Sequence, residues 1–501
     1  MTPARNGFLA VILLLGGCSV GPDYQPPKVP VPPAFSAGRA GEPVQPDYWW
    51  KGFHDPMLDD LIAWAQAGNL DVRQAASRVA QARAQERAVR ARSGPVLNAG
   101  AQAGYSRLSG NSLPPALANP GAANPGAPSA GSGLGLAGEG FATFQSGFDA
   151  SWELDLFGGR RRANEAARAR TGAAIWSQRD AEVMLAAEVA NTYQQYRALR
   201  QRIAIADQTM ASGRELLDFI RVRSAQGLAT TLDERRQQRE VDQLAAQRAD
   251  LSALADARVH ALGVLLGLAP TELAEKLARL PASASAPAPA VIAVPPGLPS
   301  QLLQRRPDIR AAERRLAAAT ADIGVATADL YPRFSLTGAL QLASRSLTTL
   351  IESDSIAANG AGRLSLPLLG RGAIRATVHL REAQADEALL AYQSEVLKAL
   401  RDVEDALTRL DADRQRADRL RSAAGAAQDA ADTAAVRYRN GLTAFTDVLE
   451  ARQAWLFARD ALVQAEAASA QDVVALYKAL GGGWDESRMQ TEGEGAGGRT
   501  E

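Results

Sequence analysis

Apolar residues along this chain keep a seven-residue spacing for several turns and then switch abruptly to a spacing of two. The change is plainest over 302–342. Leu302, Ile309, Leu316, Ile323 and Leu330 form one heptad stripe, and Ala312, Ala319 and Ala326 beside it are small enough for helices to approach closely. Pro332 ends that helix. At once Phe334, Leu336, Leu340 and Leu342 alternate with Ser335, Thr337 and Gln341, as in a strand with one apolar face. A returning strand sets Leu364, Leu366 and Leu368 against Arg363 and Ser365, and a long helix follows with Leu389, Val396, Val403 and Leu410.

The first half of the chain runs through the same succession. Leu97, Ala99, Ala101, Ala103 and Tyr105 alternate with Asn98, Gln102 and Ser106. The return strand sets Phe148, Ala150, Trp152, Leu154 and Leu156 against Asp149, Ser151, Glu153 and Asp155. Val189, Tyr196, Ile203, Met210 and Leu217 then mark a long helix. Direct alignment confirms the duplication: Asn69-Leu70-Asp71-Val72-Arg73 falls on Arg306-Pro307-Asp308-Ile309-Arg310, and Pro95 on Pro332. Gly227-Leu228 with Asp233 falls on Gly441-Leu442 with Asp447, and Leu266-Gly267 on Leu480-Gly481. One structural unit is therefore used twice. The first copy is expected over 57–280, with helices at about 57–93, 160–226 and 232–267 and a hairpin at about 96–157. The second is expected over 300–483, with its hairpin at about 333–369, after a Pro-rich linker at 281–299. At 1.5 Å per residue the helix 160–226 spans on the order of 100 Å, and the two shorter helices of its repeat sum to a similar length. That equality suggests a tube with uniform walls.

Composition changes the picture in three places. The 55 basic and 55 acidic residues cancel and interleave at helical spacing, so no basic patch points to nucleic acid. The chain opens on Arg5 and an apolar run, Phe8 to Leu15, too short to span a bilayer, followed by Gly16-Gly17-Cys18. Residues 1–17 thus read as an export signal, and the lone cysteine as a lipid attachment point. The segment resembles a bacterial lipobox, which implies S-diacylglycerol and N-acyl groups on Cys18, with Ser19 favouring the outer membrane. Residues 18–56 read as a Pro-rich strap and 484–501 as a disordered tail. No stretch reads as a membrane helix, so any crossing must be made by strands in a closed barrel.

Chemistry is not expected. His54, His260 and His379 are far apart and match no metal-ligand spacing. A formal GxGxxG at Gly133–Gly138 precedes a strand rather than a helix, against the dinucleotide reading. Neither a cofactor nor a metal site follows, and the chain does not read as an enzyme.

The strands are long enough, when tilted, to cross hydrocarbon. Asp149, Glu153, Asp155 and Arg363 would face a water-filled lumen, with Tyr105, Trp152, Phe157 and Tyr331 near the strand ends as interfacial aromatics. Four strands cannot close a barrel. Two chains would give about eight strands with a filled interior, and three about twelve with an open lumen, so a conduit favours a trimer. The expected fold class is an α+β membrane protein: a duplicated helix–β-hairpin–helix unit forming a trimeric twelve-strand outer-membrane barrel continuous with a long periplasmic α-helical barrel.

Gly227 and Gly441 mark the two helical turns farthest from the strands. Thr231-x-x-Glu234 and Asp447-x-x-Glu450 read as capping boxes there, in which carboxylates serve free backbone N–H groups. In the other reading, threefold symmetry brings Asp447 and Glu450 together as an acidic constriction.

The chain resembles TolC-type outer-membrane efflux factors of the lipidated NodT/OprM kind. The resemblance rests on Gly17-Cys18, Gly21-Pro22-Asp23-Tyr24, Trp49-Trp50, Phe53, Asp55-Pro56 and Leu58, then Glu153 through Gly158, Arg305 through Asp308, and Gly441 through Leu449. It implies a homotrimer in the outer membrane of a Gram-negative bacterium, docked on a periplasmic adaptor and an inner-membrane pump of the RND type. It also implies that Asp233, Tyr438, Asp447 and Glu450 occupy periplasmic gate positions. Thr443 departs from the pattern, since a family member carries arginine there. Two alternatives stay open at this point: the duct of a type I protein-secretion system, and a lipid-anchored coiled-coil scaffold that transports nothing.

Overall fold

The computed structural model describes residues 19–35, 47–107, 140–269, 271–274 and 299–484. The export signal, Cys18, the loop at Gly133–Gly138, the linker through residue 298 and the tail from residue 485 lie outside the described residues. The elements run α1 (Pro56–Gly68), α2 (Leu70–Ala91), β1 (Val96–Arg107), β2 (Gly140–Leu154), α3 (Gly159–Ala225) and α4 (Thr231–Leu266). The second repeat follows with α5 (Pro299–Arg305), α6 (Pro307–Ala328), β3 (Arg333–Ser344), β4 (Ile356–Ser365), α7 (Arg371–Arg439) and α8 (Phe445–Ala479). They divide into two compact units.

The first unit holds a four-stranded antiparallel sheet in the order β1-β2-β3-β4. Its register puts like beside like. Leu97 lies opposite Ala150, Phe148 opposite Leu340, Trp152 opposite Leu336, and Leu154 opposite Phe334, which itself faces Leu364. Because side chains alternate along a strand, these residues share one apolar face. Asp149 pairs with Asn98, Glu153 with Ser335, and Ser335 with Arg363 on the polar face. The expected alternation overran the strands at two points. Asp155 lies past the end of β2, and its carboxylate accepts from the backbone N–H groups of Arg160 and Arg161 at 3.1 and 2.8 Å, capping α3. Leu366 and Leu368 lie beyond β4.

The start of the strap is stitched to this unit. The Val20 N–H donates to the Phe157 carbonyl, and the buried Arg162 guanidinium donates to the Val20 and Gly21 carbonyls and to Asp23. Gly21, at φ +88°, sits where a Cβ would come within 2.4 Å of the Gly324 backbone, so the Gly-Pro-Asp-Tyr motif marks a close chain crossing. Phe157 stacks on Tyr331 with ring centroids 4.8 Å apart.

The second unit is helical. Its main core gathers Leu58, Leu61 and Ile62 of α1, Leu262 and Leu266 of α4, and Val474 and Leu476 of α8, together with Trp49, Trp50 and Phe53 of a 3-10 turn. Each such fully buried aliphatic side chain contributes about 1.5–3 kcal/mol. Trp49 stacks on Tyr477 at 5.3 Å. Asp55 caps α1 through the Met57 N–H and also accepts from the Tyr193 hydroxyl and Arg197. Burial and that carboxylate push the Tyr193 phenol up from its ordinary range.

One expectation needs correction: the helix at 57–93 is broken. Asn69 adopts an extended conformation, ends α1 and starts α2, its Oδ1 accepting from the Asp71 and Val72 N–H groups. Its Nδ2 donates to the Leu265 carbonyl at the end of α4, at 2.8 Å. In the second repeat the break falls at Arg306, before Pro307, and the Arg306 guanidinium donates to the Ala479 carbonyl at 2.9 Å. Leu265 and Ala479 are equivalent in the two repeats, so both breaks serve the same orphaned helix-end carbonyl. The closing glycines match as well. Gly267 (φ +70°) and Gly481 (φ +75°) end α4 and α8 in left-handed caps. A Cβ at Gly267 would meet the Gly68 carbonyl at 2.4 Å, and one at Gly481 would meet Arg306 Cα at 3.0 Å.

The second joint is the more charged. Arg306 also pairs with Asp308 at 2.6 Å and Asp402 at 3.4 Å, beside a cleft of about 320 Å³ lined by Asp180, Glu395, Lys398 and Lys478. Burial, and then Asp308, push the Asp180 carboxyl up to about 6. Losing Arg306 strips a carbonyl and two carboxylates of a charged donor. Arg306→Ala should therefore destabilise the fold by about 2–3 kcal/mol. Asn69→Ala, which loses a neutral cap and one hydrogen bond, should cost about 1–2 kcal/mol. Thermal unfolding of the purified variants checks this order; an Arg306→Ala midpoint equal to the parent's would contradict it.

Candidate functional site at the paired helical turns

The turns joining α3 to α4 and α7 to α8 are built alike. Leu228 N–H reaches back to the Arg223 carbonyl and Gly227 N–H to Ser224; Leu442 and Gly441 repeat this with Arg437 and Tyr438. These are Schellman closures, and they require the left-handed backbone that Gly227 (φ +75°) and Gly441 (φ +73°) supply. The turn glycines are thus where the sequence put them. A Cβ at either would meet nothing within 4 Å, so backbone conformation and not crowding selects glycine.

Both caps differ from expectation, by one residue on α4 and by three on α8, where Asp447 takes the N3 place and not the N-cap. Thr230, not Thr231, is the N-cap of α4, and its partner is Asp233, not Glu234. The Asp233 N–H donates to the Thr230 hydroxyl, and the Thr230 N–H to the Asp233 carboxylate, both at 3.2 Å. Glu234 instead accepts from Arg221 across the turn at 3.2 Å. On α8 the N-cap is Ala444. With no side-chain acceptor there, only the reciprocal half of a box exists: the Ala444 N–H donates to Asp447 at 3.3 Å, and the Thr443 hydroxyl donates to the same carboxylate. Glu450 is exposed and forms no ion pair among the described residues.

Tyr438 is not at the surface. It is 8% exposed, packed with Ile220, Phe445 and Val448 in a small core that joins the two turns. Its ring lies 5.6 Å from Phe445 and 6.3 Å from Phe219, and the Arg223 guanidinium sits 5.4 Å above it. Burial pushes its hydroxyl up, with Arg223 opposing. A spacing signal for this burial exists in the sequence. The buried α7 positions Val396, Val403, Leu410, Ala417, Ala424, Ala431 and Tyr438 continue one heptad without a gap. Arg223 and Phe219, absent from the expected site, complete the cluster.

Asp149, Glu153 and Arg363 belong to the other unit, on the polar face of its sheet, where Glu153 pairs with Arg160 at 3.0 Å. Among the described residues no group of His, Cys, Asp or Glu is arranged to hold a metal, and no helix is long and apolar enough to cross a membrane.

Comparison with known proteins places this architecture. The outer membrane efflux protein family matches residues 61–268 and 298–482, the two repeats in turn. The outer membrane protein OprJ of Pseudomonas aeruginosa is 33% identical over 96% of both chains. The solvent efflux pump outer membrane protein SrpC of Pseudomonas putida is 32% identical over 95% of this chain and 98% of its own. Among solved structures, the outer-membrane channel OprN superposes with a TM-score of 0.81 at 34% identity, covering 93% of this chain and all of that one. The open-state MtrE channel of Neisseria gonorrhoeae gives 0.79 at 26% identity, over 93% and 98%. With both repeats matched and full-length relatives a third identical, the chain belongs to the outer membrane efflux protein family.

Proposed function

We propose that this outer-membrane efflux protein works as a homotrimer, the exit duct through which a periplasmic adaptor and an inner-membrane pump discharge small toxic solutes. The observation that carries the reading is the open sheet. β1 and β4 are edge strands, each with one side unpaired among the described residues, on a sheet whose one face is apolar. In hydrocarbon an unpaired edge costs several kcal/mol per group, so the edges must close on other copies. Three copies make about twelve strands and leave a lumen, whereas eight would fill it. The polar face, with Asp149, Glu153 and Arg363, then lines water. The relatives' names span solvents, toluene and cations. That range suits a wide duct whose selectivity resides in the pump.

The sheet register sets a depth-dependent test. Phe148 lies mid-strand on the apolar face, and Leu154 at the strand end. Phe148→Arg should cost assembly about 2–4 kcal/mol and Leu154→Arg about 0–1 kcal/mol. Glu153→Gln should leave the trimer intact. Folding yields in liposomes measure this, and arginine tolerated at 148 but not at 153 would invert the two faces.

The gate reading concerns Asp447 and Glu450, with Asp233 as a cap beside them. On a threefold axis their copies repel one another, and protons or cations must offset that repulsion on closing. Asp447→Asn keeps an acceptor for the Ala444 N–H while removing the charge, so capping and gating separate. Asp447→Asn with Glu450→Gln should keep the trimer, raise resting conductance in planar bilayers and weaken block by multivalent cations. Unchanged conductance and block would leave these residues as caps alone.

Lipidation of Cys18 completes the proposal. Each acyl chain adds about 0.8 kcal/mol per buried CH₂, so three chains anchor firmly alongside the strands. Mass spectrometry of the mature protein should show a triacylated N-terminal Cys18, and Cys18→Ala should impair processing more than conduction. An unmodified Cys18 would remove this part.

A further inference from the structure

A cavity of about 610 Å³ lies in the first unit, at the corner where the helices give way to the sheet. Val89, Val96, Leu154, Leu156, Ala163 and Val325 line it, together with three arginines and three acids. Its volume falls within the roughly 300–1,000 Å³ of sites for drug-sized molecules. Hydrogen bonds brace the corner. Trp152 Nε1 donates to the Ser93 carbonyl at 3.4 Å, Asn164 Nδ2 donates to the Ser93 hydroxyl at 2.9 Å, and the Arg160 guanidinium donates to the Arg92 carbonyl. A cavity held in this way is formed before any ligand arrives.

The side on which it opens follows from α3. Arg162 is turned to the strap, where it holds Val20, Gly21 and Asp23, whereas Gly159, Arg160 and Ala163 line the cavity. At 3.6 residues per turn, Ala163 and Arg160 lie about 100° and about 160° round the helix from Arg162. Cavity and strap are therefore on different sides of the wall. Glu153, from the polar face of the sheet, completes the lining. The cavity thus belongs with that polar face.

Charge decides what it can hold. Every acid in the lining is engaged: Glu153 pairs with Arg160 at 3.0 Å and Asp329 with Arg333 at 2.6 Å. Asp155 accepts from two backbone N–H groups at the start of α3, where the helix dipole favours an anion. Arg92 differs, because its exposed guanidinium forms no ion pair among the described residues. We propose that this cavity binds amphipathic organic anions and serves as a way station at the neck of the duct. The apolar body lies against Val89, Leu154 and Val325, and the carboxylate or sulfonate takes the planar fork of Arg92. These three apolar residues are only half-buried, which suits a solute that must leave again. The site stands on the first unit alone; its role in transit rests on the duct reading.

Isothermal titration of the assembled, full-length protein in phosphocholine nanodiscs tests it, with empty nanodiscs as the blank. The probes are naphthalene sulfonate and naphthylmethylammonium, which share an apolar body and differ in charge. The sulfonate should bind saturably and about tenfold more tightly than the ammonium. Arg92→Gln should weaken the sulfonate by about tenfold and leave the ammonium unchanged. Ala163→Phe, which fills the cavity from α3, should weaken both probes. Val325→Phe fills it from α6 and covers the case in which the first variant assembles poorly. Absence of saturable sulfonate binding, equal affinity for the two probes, or a sulfonate affinity unmoved by Arg92→Gln would overturn the site. Conductance in planar bilayers is read on the same protein. A parent that binds the sulfonate as expected but does not conduct would sink the duct reading and the transit role while the site remains.

Discussion

The helical unit depends on what happens to the carbonyls at the ends of α4 and α8. A helix leaves its last carbonyls without intrahelical partners, and burying such an end in a core is costly unless donors arrive from elsewhere. Here the donors come from the break in another helix: Asn69 serves Leu265, and Arg306 serves Ala479. Each break must therefore sit against the closing turn, and the glycine caps at Gly267 and Gly481 allow the backbones to meet. The largest apolar core, from Trp49 to Tyr477, packs around this arrangement. The joint orders the unit because it is a polar requirement inside an apolar setting.

Duplication preserved that requirement and changed the means. Asn69 satisfies its joint with a short neutral amide. Arg306 reaches the same carbonyl with a guanidinium, which then needs Asp308 and Asp402 beside it and brings Asp180 into a low-dielectric cleft. Asp180 belongs to the first repeat, on α3, so its raised carboxyl arises where that helix lines the cleft beside the second repeat's joint.

Much of this was legible in the sequence because period carries the information. The switch from seven to two at Pro332 located β3 to its first residue, and alternation assigned the faces that the register confirms from Leu97 to Leu364. What escaped depended on backbone choices between chemically similar neighbours. Thr230 and Thr231 can both cap, and only the extended backbone of Thr230 decides. Alternation also says nothing about where a strand stops, so Asp155 read as one more polar residue on a strand when it caps a helix. Tyr438 is a different case, since its heptad ran in plain view from Val396. A family role at that position drew it into the gate, although the spacing had already placed it in the core.

That conflict bears on how a closed end of such a wall works. A carboxylate at an axis is free to gate only as far as its own fold leaves it uncommitted. Asp233 and Asp447 are committed, each holding backbone N–H groups that would otherwise be orphaned. Moving either away from its cap exposes a helix start, at about 1 kcal/mol. Glu450 carries no such duty. Tyr438, locked between Phe219 and Phe445 under Arg223, holds the two turns together and does not project from them. If these turns form the gate proposed above, opening is therefore easier as a movement of whole paired turns, caps intact, than as a swing of single side chains. In the proposed trimer the charge presented to the axis then changes with helix position.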